Sequence, residues 1–122
     1  MKFSNENEKW NDVYLYVVSV YMDKISIKDA AEKIHNIHYN VAQNSFIMYY
    51  YAYKKMLSGE LHTRSISQSL RKLFLDRIYE NFGVMGLRKA LKAYLAHIEF
   101  RKKNGDNPIK DKILYEEYAN KI

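Results

Sequence analysis

Apolar residues recur along most of this chain three or four positions apart, and only one proline and four glycines interrupt them in 122 residues. That spacing lines apolar side chains along one stripe of a helix, whereas a half-buried strand would alternate them. The expected fold class is therefore all-α: a compact bundle of about six helices containing a helix-turn-helix-like pair. Hydrophobic residues are 48% of the chain and charged residues 28%, enough for a core and incompatible with wholesale disorder. The length suits a single helical domain over 1–122, with 104–122 a C-terminal helix that could continue toward a missing domain.

Local signals divide the chain. A first helix is expected from about Glu6 to Met22, with Trp10, Val13, Tyr14, Val17 and Tyr21 along one face. Ser26 reads as the N-cap of a short second helix through Ala30, Ala31 and Ile34, with Asp29 as the carboxylate of a shortened capping box. Asn40 is expected to cap a third helix ending at Gly59, with Phe46, Tyr50, Tyr53 and Leu57 inward. A polar link, 60–67, leads to a helix from about Ser69 to Phe82 with Leu70, Phe74, Ile78 and Phe82 buried, closed by Gly83. The next spans roughly Val84 to Lys103, with Leu87, Leu91, Tyr94, Leu95 and Ile98 inward. After Asn104-Gly105, Asn107 is read as the cap of a last helix with Pro108 in its first position.

Several function classes fall away. The longest apolar run, Phe46 to Tyr53, has eight residues, far fewer than the roughly 20 that cross a bilayer. No apolar stretch follows Lys2 in Met1-Lys2-Phe3-Ser4-Asn5-Glu6-Asn7-Glu8, so no secretory signal is expected, and a cytoplasmic location is the simplest reading. The absence of cysteine excludes disulfides and thiolate chemistry. His35 and His38 stand three apart but have no acidic or histidine cluster near them in sequence, so no metal site is expected. Nucleophile–base pairing, a glycine-rich phosphate loop and apolar carboxylate pairs are not evident in the sequence. A non-catalytic chain without cofactor or metal is the expectation.

Charge is distributed unevenly. Residues 1–53 carry five basic and six acidic groups and residues 104–122 three and four, whereas 54–103 carry twelve basic against four acidic. Such a concentration is what a polyanion-binding surface looks like in sequence. Arg64, Arg71, Lys72, Arg77, Arg88, Lys89, Lys92, Arg101, Lys102 and Lys103 would form one ridge if the helices on either side of Gly83 packed antiparallel. Thr63, Ser65 and Ser67 add hydroxyls of the kind that hold phosphates beside arginines. In the helix pair around 26–57, the residues expected to face a major groove are Val41, Gln43, Asn44 and Tyr39, and Gln and Asn can each bond bidentately to adenine. Tyr49-Tyr50-Tyr51-Ala52-Tyr53 cannot all lie on one helix face, so exposed rings could stack on bases or anchor a protein.

The middle of the chain resembles the helical N-terminal module that precedes the nuclease domain in some HNH-type restriction endonucleases. The resemblance rests on Asn44-Ser45, on Tyr49 through Met56-Leu57-Ser58-Gly59-Glu60, and on Thr63-Arg64-Ser65-Ile66-Ser67. It continues through Phe74-Leu75-Asp76-Arg77-Ile78, Asn81-Phe82-Gly83 and Leu87 to Phe100, covering about residues 25–103. It implies a DNA-recognition or accessory module of a restriction or defence system, without the metal-binding nuclease domain, which this chain lacks. The leading expectation is a non-catalytic binder of double-stranded DNA, with Arg64, Arg71, Lys72, Arg88, Lys89, Lys92, Arg101 and Lys102 on phosphates and Gln43 and Asn44 at base edges. The alternative is a protein-interaction or inhibitor domain, phage or defence related, that binds an acidic partner protein.

Overall fold

A computed structural model of the chain describes residues 4–122; the absence of a leader, read partly from Met1–Phe3, lies outside the described residues. Five helices follow one another: α1 (Ser4–Tyr21), α2 (Ile27–Ile37), α3 (Gln43–Ser58), α4 (Gln68–Lys103) and α5 (Ile109–Ala119), with no strand among the described residues. No helix there is long and apolar enough to cross a membrane. The chain divides into two compact units, Met1–Tyr53 and Lys54–Ile122, and α3 runs across the boundary.

In the first unit, Trp10, Val13, Tyr14, Val17 and Val20 form the buried stripe of α1. Val20 replaces the expected Tyr21, which is largely exposed because it lies past the last turn that faces the core. The helix ends in a Schellman turn: Lys24 N–H bonds to the Ser19 carbonyl and Asp23 N–H to that of Val20. Asp23 takes the left-handed position there, at φ 64°. Ser26 caps α2 as expected, its hydroxyl accepting from the Asp29 amide at 3.1 Å. Ala30, Ala31 and Ile34 are buried, and the small alanines let α2 approach α1 closely.

The expected close crossing of α2 and α3 is not found. Residues 38–42 join them, and the near neighbour of α2 is α1. Two histidines fix that arrangement: His38 Nε2 reaches Asp12 at 2.9 Å, and His35 Nδ1 donates to the Val41 carbonyl at 3.0 Å. The tyrosine run is mostly packed, with Tyr49 edge-on to Trp10 at 5.7 Å and Tyr53 edge-on to Tyr14 and Tyr21. Phe46, Ala52 and Tyr53 are buried, while Tyr50, expected inward, is half-buried.

In the second unit, Gly59 ends α3 at φ 74°. Met56 is buried just before it, and Leu57, expected inward, is half-buried. The two helices expected on either side of Gly83 run on as one element, α4, so that five helices are counted rather than six, with a break at Gly83 as expected. Gly83 adopts non-helical angles (φ 69°, ψ −158°) and bends α4 between its two arms. On the first arm Leu70, Phe74, Leu75 and Ile78 are fully buried, but Phe82, at the bend, is 51% exposed. The second arm buries Leu87, Ala90, Leu91, Tyr94 and Ile98. Leu95 is turned about 100° from Tyr94 and left largely exposed.

Helix α5 begins at Ile109, so Pro108 takes the capping position expected of Asn107 and provides no side-chain cap. It packs on α4 through Asp111, Leu114 and Tyr118.

Candidate functional site

Helix α5 is held to α4 by polar contacts that converge on one carboxylate. Asp111, 7% exposed, accepts from Tyr94 Oη at 2.6 Å, from Arg101 Nη1 at 2.5 Å, and from the Gln68 amide. Tyr118 Oη donates to Asp76 and accepts from Lys72 Nζ at 3.0 Å, while Lys72 also pairs with Glu117. Burial and the carboxylate beside it push the Tyr118 phenol up to about 12. The same two effects raise that of Tyr94, so both hydroxyls stay protonated donors at neutral pH.

Beside this seam lies a cavity of about 430 Å³, lined by Ser65, Gln68, Arg71, His97 and Arg101 from the link and α4, and by residues 107–111 at the start of α5. Arg71 is 3% exposed. Its guanidinium lies over the Tyr94 ring at 4.4 Å, and no hydrogen bond or ion pair to it is found among the described residues. Burial pushes its pKa down, opposed by the negative potential of Tyr94 and Asp111. Arg101 is paired with Asp111 and Asp106, whereas Lys110 at the cavity mouth is exposed and has no acidic partner among the described residues.

His97 forms one wall and is 1% exposed. Its Nδ1 donates to the His62 carbonyl at 2.8 Å, which leaves Nε2 as an acceptor, 3.3 Å from Ser65 Oγ. Desolvation lowers its pKa, so the neutral ring persists below the usual imidazole range. A serine hydroxyl on a neutral imidazole nitrogen is the pairing that general-base chemistry uses, here with a backbone carbonyl in place of an orienting carboxylate. The pair was not legible in the sequence, where 32 positions separate the two residues.

Among the residues expected on one ridge, Arg71 is buried, while Lys72, Arg77, Arg101 and Lys102 meet Glu117, Glu80, Asp106 with Asp111, and Glu99. Glu80 and Glu99 come from α4 itself, Asp106 from the turn after it, and Asp111 and Glu117 from α5. Ser67 is occupied as the cap of α4, accepting from the Ser69 amide. Five of the expected residues, Arg64, Arg88, Lys89, Lys92 and Lys103, are exposed with no acidic partner among the described residues. Arg88, Lys89 and Lys92 share just over one turn of α4, and Gly59 lies against that turn: a Cβ on Gly59 would sit 3.5 Å from the Lys89 carbonyl and 3.6 Å from Lys92 Cδ. Gln43 and Asn44 open α3 in the first unit, both exposed; the eight expected phosphate contacts all belong to the second.

His35 and His38 are absorbed by the Val41 carbonyl and Asp12, and no group of three metal-ligating side chains occurs among the described residues. Compared with models of protein families, with curated proteins and with solved structures, the chain matches none.

Proposed function

We propose that the chain is a non-catalytic module that binds double-stranded DNA through the second arm of α4, in keeping with its resemblance to the helical module of HNH-type restriction endonucleases. The observation that carries this reading is the exposed, uncompensated cluster Arg88, Lys89 and Lys92, with Arg64 as a fourth free cation. Side chains one helical turn apart present their charges on one face, and cations without carboxylate partners are free to displace counterions from phosphate. Gln43 and Asn44, exposed at the start of α3, would supply base-edge contacts.

The test is fluorescence anisotropy of a labelled duplex against the full chain at several salt concentrations. Three to four neutralised phosphates imply an affinity that falls about 40- to 150-fold between 50 and 200 mM salt. The triple variant Arg88→Glu, Lys89→Glu, Lys92→Glu should abolish binding while keeping the helical circular dichroism. Absence of binding by the parent at the lowest salt would end the DNA reading.

A second reading, an interaction domain for an acidic protein, draws on the bend at Gly83. There Phe82, Val84 and Met85 are exposed beside Arg88, Met85 by 68%. Apolar anchors rimmed by cations suit a protein partner better than a duplex. On that reading Met85→Ser and Phe82→Ser weaken capture of the partner, whereas they leave duplex binding untouched.

A further inference from the structure

We propose that the cavity between the start of α5 and the two arms of α4 is a binding site for a phosphate monoester, with Arg71 as its buried cation. Arg71 is 3% exposed and rests on the face of Tyr94, and since no side-chain nitrogen among the described residues is both fully enclosed and unpartnered, its N–H groups open onto the cavity. Asp111 accepts from Tyr94, Gln68 and Arg101, not from Arg71. Arg71 therefore lines the cavity with its donors unspent.

The rest of the lining suits the same ligand. Helix α5 starts without a side-chain cap, and its first intrahelical bond is from the Lys112 amide to the Pro108 carbonyl. The Lys110 and Asp111 amides precede that ladder, and such unsatisfied N–H groups together with the helix dipole favour an anion. Lys110 brings a second cation to the mouth. Donors placed around a volume, rather than in one plane, match the three terminal oxygens of a phosphoryl group better than the two of a carboxylate. At about 430 Å³ the cavity lies within the range of about 300–1,000 Å³ typical of small-ligand sites, so it has room for part of the esterified group too. That group would leave past the exposed Ser65, Asn107 and Lys110. The site depends neither on Arg88, Lys89 and Lys92 nor on the DNA-binding reading.

The experiment is a thermal-shift and NMR titration of the full chain with inorganic phosphate, against acetate and chloride at equal ionic strength. Phosphate should raise Tm saturably and shift the Lys110 and Asp111 amides, and acetate and chloride should do neither. Arg71→Met should weaken phosphate at least tenfold, Lys110→Ala several-fold, and Arg88→Glu not at all. A nucleoside 5′-monophosphate and a 5′-phosphorylated oligonucleotide, each beside its unphosphorylated form, separate a free small-molecule ester from a strand end. A requirement for the phosphate in either supports the site. Equal responses to all anions, or phosphate binding undiminished in Arg71→Met, would overturn it. Should Arg71→Met fail to fold, Lys110→Ala decides: unchanged affinity in that surface variant rejects the site.

Discussion

Replacing Arg71 by methionine tests the energetic argument behind the cavity directly. Methionine keeps the length of the arginine stem and removes the charge. Withdrawing the guanidinium from water costs several kcal/mol even after local relaxation, about 4 for a side chain this enclosed. Its position 4.4 Å over the Tyr94 ring offsets about 2 kcal/mol. Asp111 contributes attraction to Arg71, and it keeps three donors, Tyr94, Gln68 and Arg101, when Arg71 is lost. Set against the Asp111 attraction as well, the balance favours methionine by at most about 2 kcal/mol, so for a chain of this size Tm should hold or rise by up to roughly 8 °C. Urea unfolding followed by circular dichroism, in buffer without phosphate, measures both. A variant less stable than the parent by more than about 1 kcal/mol, with its helical spectrum intact, would refute the reasoning. Arg71 would then be a structural counter-charge to Asp111, and the cavity would lose its claim to a ligand.

The remaining predictions concern titration and the bend in α4. His97 has a folded pKa below the ordinary imidazole value of 6.5, so the unfolded chain takes up a proton that the folded chain refuses as pH falls through that value. Its contribution is fully present above pH 6.5 and declines below it, by at most about 1.4 kcal/mol per pH unit. His97→Gln should therefore flatten the stability profile in mildly acidic solution; a profile unchanged from the parent would contradict this. Gly86→Ala would ordinarily stabilise a helix by about 1 kcal/mol, yet here the new Cβ would lie 2.3 Å from Phe82 Cβ. Because that atom moves only with the backbone, the expected result is a loss of about 1–3 kcal/mol, and a rise in Tm on thermal denaturation would contradict it.

The features legible in the sequence were the local ones. Ser26 caps α2, Gly59 and Gly83 take positive φ, and Gly105 ends α4 in the same way, because capping and left-handed turns depend on a few neighbouring residues. Helical phase was readable for Leu70, Phe74 and Ile78 but failed at Phe82, since the glycine bend takes that residue off the stripe. Charge was the least readable property. Arg71 and Lys92 look alike in the sequence, and only the docking of α5 encloses one of them while the other stays in solvent. Likewise Lys72 and Arg101 are separated from Glu117 and Asp111 by 45 and 10 positions, distances over which neither periodicity nor charge patterning carries information. The candidate site was least legible of all, because its lining comes from a polar link, both arms of α4 and the start of α5.

The carboxylate of Asp111 also acts as an alignment key. Apolar contacts such as those of Leu114 tolerate sliding, since one aliphatic surface resembles the next. Three donors on three different turns of α4 do not. A shift of α5 by a single turn, about 5.4 Å, would break the bonds to Gln68, Tyr94 and Arg101 together. Only one registry of α5 on α4 is therefore stable, and only in that registry do the free amides of its first turn come to Arg71. The cavity belongs to neither helix: it comes into being when the last helix locks into place, and a lengthened turn at 104–108 would erase it while leaving both helices whole.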